Sequence, residues 1–122
     1  MLLKECYNLF GGDYEAVRQR MMKDEIIEKF VIKFLTEPSY QNLCDTIESK
    51  DYVEAFRAAH SLKGISANLG FLRLEKSSGV LTEILRDNGR RQIDREIVKE
   101  LLENVSKDYR EVVEAVRTYA EL

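Results

Sequence analysis

Apolar positions recur at helical spacing along almost the whole chain. The clearest run comes last. Val98, Leu102, Val105, Tyr109, Val112, Val116 and Tyr119 step by alternating four and three residues, with charge on the other faces. That pattern predicts a helix from near Asp94 almost to the end, with one seam for packing along a bundle. From Asp24, the residues Ile27, Phe30, Val31, Phe34 and Leu35 keep the same period, and Tyr40, Leu43, Cys44 and Ile47 continue the stripe to about Ser49. Pro38 suits a first helical turn, so a break or kink near Thr36-Glu37 is expected.

Between these segments, Asp51 and Glu54 have the form of a capping box, which opens a helix that Gly70 ends as a left-handed residue. Phe71 opens the next helix, whose core face is Leu74, Leu81 and Leu85. Ser77, Ser78 and Gly79 make it narrow enough for a neighbouring helix to come close, and Asn88-Gly89 ends it. Ahead of all this, Leu2, Leu3, Cys6, Leu9 and Phe10 suit a turn or two of amphipathic helix stopped by Gly11-Gly12. Asp13 can cap a second short helix over 14–22, with Tyr14, Val17, Met21 and Met22 available for packing.

Four segments with short turns emerge, at about 24–49, 51–69, 71–88 and 94–121. The economical arrangement is all-α, an antiparallel up-down-up-down four-helix bundle. Residues 1–22 form a short N-terminal helical extension that covers one end or side, and the 122 residues make one domain.

Composition narrows the function classes. Hydrophobic residues are 44% and charged residues 34%, with one Pro, six Gly and no Trp, which suits a globular helical protein rather than a disordered one. A net charge of −3 with the signs interspersed lacks the basic field of a nucleic-acid binder. The densest basic cluster, Arg86 to Arg91, surrounds an expected turn at Asp87-Asn88-Gly89 and reads as a solvated loop. Cys6 and Cys44 are far apart, have no metal-ligand spacing, and read as reduced thiols of a cytoplasmic protein. The N-terminus turns polar too soon for a signal peptide or a membrane span.

The chemistry concentrates in one place. His60 is the only histidine. At roughly three to four residues per turn, His60, Lys63, Gly64 and Ala67 share one side of the predicted helix over 51–69. Ala55, Leu62, Ser66 and Leu69 take the opposite side, with Ala59 at its edge. A lone helical histidine is usually a packed or plain surface residue. A metal site fails because no second His or Cys stands at the right spacing and no carboxylate shares the face. Three features shift the weight towards function. His60 lies away from the core stripe. Lys63 offers a cation to an anion held at the imidazole. Gly64 costs about 1 kcal/mol of helix stability relative to Ala, yet its missing Cβ lets a large partner or a phosphoryl group come close. Ala67 continues the cleared strip, and Phe56 one turn earlier supplies an apolar contact.

The run His60-Ser61-Leu62-Lys63-Gly64, with Gly70 six residues later, resembles the phosphoacceptor motif of histidine-containing phosphotransfer (HPt) domains. The resemblance covers about residues 24–121 and takes in Asp51-Tyr52-X-X-Ala55 and Ser77-Ser78-X-X-Leu81. It implies a four-helix bundle that relays phosphoryl groups between aspartates of receiver domains and is not itself an enzyme. His60 is then the phosphoacceptor through its outer ring nitrogen, Lys63 binds phosphoryl oxygens and Gly64 gives clearance. Phe56, Arg57 and Ala67 belong to the docking surface. Many members place a glutamine near the imidazole from the following helix. The matching position here is Thr82, a shorter donor. The implied partners are response-regulator receiver domains, a hybrid sensor histidine kinase, or both. No cofactor is expected on this chain, because the divalent cation sits on the receiver.

Neutral imidazole is a nucleophile near neutral pH, and phosphoryl transfer needs positioning and charge neutralisation more than covalent help. So little else in the sequence needs to look catalytic. No base, acid or metal is grouped with His60, and no glycine-rich nucleotide loop points to a kinase. The competing class is a helical interaction module of the same fold without phosphotransfer, whose final seam would equally support dimerisation. The first reading expects a monomer without nucleic-acid or membrane partners. The native-looking Met1 and the early helices favour a free-standing protein over a piece of a hybrid kinase.

Overall fold

In the computed structural model, residues 1–86 and 92–121 are described, and among them there are helices and no strand. In chain order these are α1 (Leu3–Leu9), α2 (Tyr14–Met21), α3 (Asp24–Phe34), α4 (Ser39–Glu48), α5 (Tyr52–Asn68), α6 (Leu72–Leu85) and α7 (Arg95–Ala120). The expected turn at Asp87-Asn88-Gly89, and with it most of the basic cluster, lies outside the described residues. The segment expected as one broken helix is two, α3 and α4. After Phe34 the chain tightens, with the N–H groups of Leu35, Thr36 and Glu37 donating to the carbonyls of Ile32, Lys33 and Phe34. These bonds reach back only three residues, as at a helix end that winds up before stopping.

Successive helices α4, α5, α6 and α7 pack on one another, and α5 against α6 is the most extensive of these contacts. α7 also receives α1 and α3. The core runs between them through Leu43, Leu62, Leu74, Leu81, Leu85, Val98, Val105 and Val116, all essentially without solvent contact. The seam of α7 thus faces inward as its spacing requires. Small residues let α5 and α6 approach: Ala55, Ala59 and Ser66 of α5 and Ser78 of α6 are fully buried. The Ser78 hydroxyl donates to the Leu74 carbonyl at 2.5 Å and so carries no unmet donor into the interface. Both long helices begin on an aspartate. Asp51 accepts from the Glu54 N–H at 3.3 Å, and Asp94 from the N–H groups of Glu96 and Ile97 at 3.0 and 3.2 Å. The reciprocal half of the box at α5 is not made. The Glu54 carboxylate pairs instead with Arg57 at 3.0 Å.

Three expectations need correction. The N-terminal extension is no mere cover, since Cys6, Tyr7, Phe10 and Val17 are as buried as any residue of the bundle. The ring of Phe71 meets those of Tyr7, Phe10 and Phe34 at 6.0, 5.1 and 5.1 Å between centroids. One aromatic cluster therefore joins the extension to the start of α6. Burial pushes the Cys6 thiol up to about 11, which suits a packing role rather than a reactive one. Second, Phe30 stands 43% exposed although it keeps the helical period of α3. Third, Met22 does not pack. It is 70% exposed and closes α2 in the left-handed conformation at φ 66°.

The end of α5 ties extension and bundle together. Gly70 has φ +71°, and its carbonyl accepts from the Asp13 N–H at 2.9 Å. The Tyr7 hydroxyl donates to the Leu69 carbonyl at 2.6 Å, and Arg20 donates to the carbonyls of Ala67 and Asn68 at 3.2 and 2.6 Å. A Cβ on Gly70 would collide with Val17 and come within 2.9 Å of the Asp13 carbonyl oxygen. Gly70→Ala is therefore expected to destabilise by about 2 kcal/mol or more. Gly64→Ala, where a Cβ meets nothing within 4 Å, is expected to stabilise by up to about 1 kcal/mol. Urea unfolding followed by far-ultraviolet circular dichroism checks both signs.

Candidate functional site

His60 lies in the second half of α5, whose inner face is fixed by Ala55, Ala59, Leu62 and Ser66. With that face committed to the core, the period turns His60 and Gly64 to solvent and leaves Lys63 and Ala67 half-buried. The ring of Phe56, one turn earlier, lies nearly parallel to the imidazole, 6.0 Å away at 14°. Arg57 is exposed and held by Glu54. Gly64 borders open space, so neither folding nor packing requires a glycine there.

The other wall comes from α6. Gly79 lies under the stem of Lys63: a Cβ at Gly79 would touch Cδ and Cε of that lysine at 3.5 Å. The aliphatic part of Lys63 thus rests across α6 while its ammonium stays near solvent, as long cationic side chains do. One turn after Gly79 stands Glu83. Arg86 holds it with two bonds, Nε to Oε2 at 3.0 Å and an Nη to Oε1 at 2.8 Å. The hydrogen-bonded guanidinium keeps the Glu83 carboxyl below the usual carboxylate range, and the charges of Lys63 and His60 act in the same direction. Arg86 also lies over the Phe56 ring, 5.2 Å from its centroid, which is cation–π distance. Beside Lys63, Leu72, Gly79, Val80 and Glu83 line an open depression of about 520 Å³.

The residues singled out from sequence do not all meet. His60, Lys63, Gly64, Phe56, Arg57 and Ala67 form one strip along α5. Thr82 does not join it. It is fully buried, and its hydroxyl donates to the Ser78 carbonyl at 2.6 Å within α6. The donor expected near the imidazole is spent on the helix's own turn, and Thr82 takes a packing role. Sequence reasoning missed Glu83 and Arg86. The signal was available, because a Glu followed three residues later by Arg makes a pair on one helix face, and Glu83 stands one turn beyond Gly79.

Among the described residues no group of His, Cys, Asp and Glu is placed to hold a metal ion. No described helix is long and apolar enough to cross a membrane. The site offers one solvent-facing imidazole, a lysine of the same helix whose stem runs beside Gly79 of α6, a buttressed carboxylate and a shallow concave border. Chemically, that set can receive an anionic group on a ring nitrogen beside a cation.

No curated protein and no solved structure matches the chain. The family model of the Hpt domain matches residues 33–118, which include α4 to α6, most of α7 and the whole strip around His60. That match spans well over half of the sequence, and the chain belongs to the Hpt domain family, the phosphocarriers of histidine phosphotransfer in phosphorelays.

Proposed function

We propose that His60 is the phosphoacceptor of a phosphorelay intermediate, taking a phosphoryl group from a receiver-domain aspartate and passing it to another receiver. The observation that carries this reading is the pairing of the sole histidine, exposed on α5, with a glycine one turn on whose missing Cβ faces open space. A helix interior gives up about 1 kcal/mol for such a glycine, and here nothing within the chain requires it. Clearance for an incoming partner accounts for it.

In the transfer, a ring nitrogen of neutral imidazole attacks phosphorus. The N–P bond forms as the P–O bond to the aspartyl carboxylate breaks, and that carboxylate leaves with the electron pair. The reverse step uses the same geometry. Lys63 neutralises charge on the phosphoryl oxygens. Its stem is braced on Gly79, so the ammonium is delivered over a short range of positions, and positioned charge is what this chemistry needs. The divalent cation and the acidic pocket belong to the receiver, and this chain needs no cofactor of its own. It acts as a carrier without autonomous catalysis, in the cytoplasm and as a monomer. The chain is one domain, in which the short links between α4 and α5 and between α5 and α6 make antiparallel neighbours of an up-down-up-down bundle. Receiver domains, with or without a hybrid sensor kinase, dock on the strip of Phe56, Arg57, Gly64 and Ala67 and on the apolar residues Leu72, Val80 and Ile84 that α6 leaves exposed.

The decisive experiment incubates the protein with a panel of phosphorylated receiver domains and follows acid-labile, alkali-stable label. Wild type is expected to be labelled and His60→Gln not. Absence of label on wild type across the panel, or equal label on both, sinks the reading and leaves a helical interaction module. Gly64→Gln is expected to slow transfer by about tenfold or more through misplacement of the incoming group, while stability in urea stays equal or rises by up to about 1 kcal/mol. Thr82→Val, by contrast, is expected to leave the transfer rate unchanged and to lower stability by about 1 kcal/mol or less, because its hydroxyl serves only α6.

A further inference from the structure

On the far side of α5 from His60, α2, α3, the α3–α4 link and the last turn of α5 enclose an open cavity of about 570 Å³. That is the size of a small-molecule site, and its walls have the usual character, mostly apolar with a few polar groups at fixed places. Met21, Phe34, Ile65 and Leu69 supply apolar wall. Phe30 lines it too, and its 43% exposure gains a reason there, since a large aromatic left half in solvent completes a surface for something else. By the helical period Ile65 and Leu69 lie roughly opposite His60, so the cavity is not a lobe of the phosphoryl site.

The polar groups around the cavity are unbalanced. Arg20 donates through one Nη to the last carbonyls of α5, those of Ala67 and Asn68, and has no carboxylate partner among the described residues. Lys33 also lines the cavity and is exposed, and it has no ion-pair partner among the described residues. Against these stands one carboxylate, Glu37, whose Oε1 accepts from the N–H and the hydroxyl of Ser39 while its negative charge remains. Two cations and one carboxylate therefore border an apolar cavity, an excess of one positive charge.

We propose that this cavity binds a small amphiphilic anion, a carboxylate on a hydrocarbon or aromatic body. The apolar body lies against Met21, Phe34, Ile65 and Leu69, and the carboxylate faces Lys33 and Arg20. The site does not follow from family membership, because Arg20, Met21 and Phe30 precede the matched residues 33–118. It is a property of the N-terminal extension seated against the bundle.

The test is a nuclear magnetic resonance titration of the full chain with octanoate and, separately, with octyltrimethylammonium, which has the same chain length and the opposite charge. Octanoate is expected to give saturable shifts confined to Met21, Phe34, Ile65, Leu69 and their neighbours, with at least about fivefold tighter binding than the cation. Lys33→Gln is expected to weaken octanoate two- to fivefold, roughly what one exposed ion pair gives, and to leave the cation unaffected. Phe30→Ala, an exposed change that spares the core, is expected to weaken both. Equal affinity for the two charges, insensitivity of octanoate to Lys33→Gln, shifts spread over the surface, or no saturation at all would each overturn the proposal.

Discussion

The structure depends on how α5 ends. Three carbonyls around this end accept from the N-terminal extension, those of Ala67 and Asn68 from Arg20 and that of Leu69 from Tyr7, and Ala67 also takes the Gly70 N–H. Gly70 then turns the chain with a positive φ that only a residue without Cβ takes at low cost. Phe71 follows directly and its ring anchors the aromatic cluster. The inner face of α5 is thus set by packing and its end by hydrogen bonds. Between them they fix the rotation of the helix, and the direction in which His60 points follows from that rotation.

This arrangement explains how so plain a surface can be a site. The groups that share the face of His60 are exposed or half-buried, and no positive-φ residue stands beside it. What the chain supplies is placement: an imidazole turned outward, a lysine stem resting on Gly79, and a glutamate whose negative charge is tied down by Arg86 rather than left free to repel an anion. Two glycines in helix interiors, one on each wall, keep the neighbourhood low.

Much of this was legible in the pattern of residues. The seam from Val98 to Tyr119, the aspartate cap at position 51, the helix start near Asp94 and the left-handed Gly70 all follow from local rules about periodicity and termini, and the backbone obeys them. His60 and its strip were legible because a face opposite a core stripe must point outward. What was not legible depended on contacts between distant segments. The burial of Tyr7 and Val17 needs Leu69 and Gly70 beside them. The exposure of Phe30 needs a cavity that no local window contains. Thr82 misled for a different reason: family position suggested a donor, but a threonine hydroxyl inside a helix can reach back to the carbonyl four residues earlier, and in a buried setting it does so.

The aromatic cluster around Phe71 also bears on where this protein can be cut. The family match begins at residue 33, so a fragment made to that boundary would lack Tyr7, Phe10 and Val17. It would carry Phe71 and Leu69 with one side open to water, and the carbonyls of Asn68 and Leu69 would lose the donors of Arg20 and Tyr7. Loosening there would spread into the helix that carries His60, because Gly70 would then end it without the bonds from Tyr7 and Arg20. The length over which the family is recognised is thus shorter than the length over which the core is packed, and the difference lies in α1, α2 and most of α3.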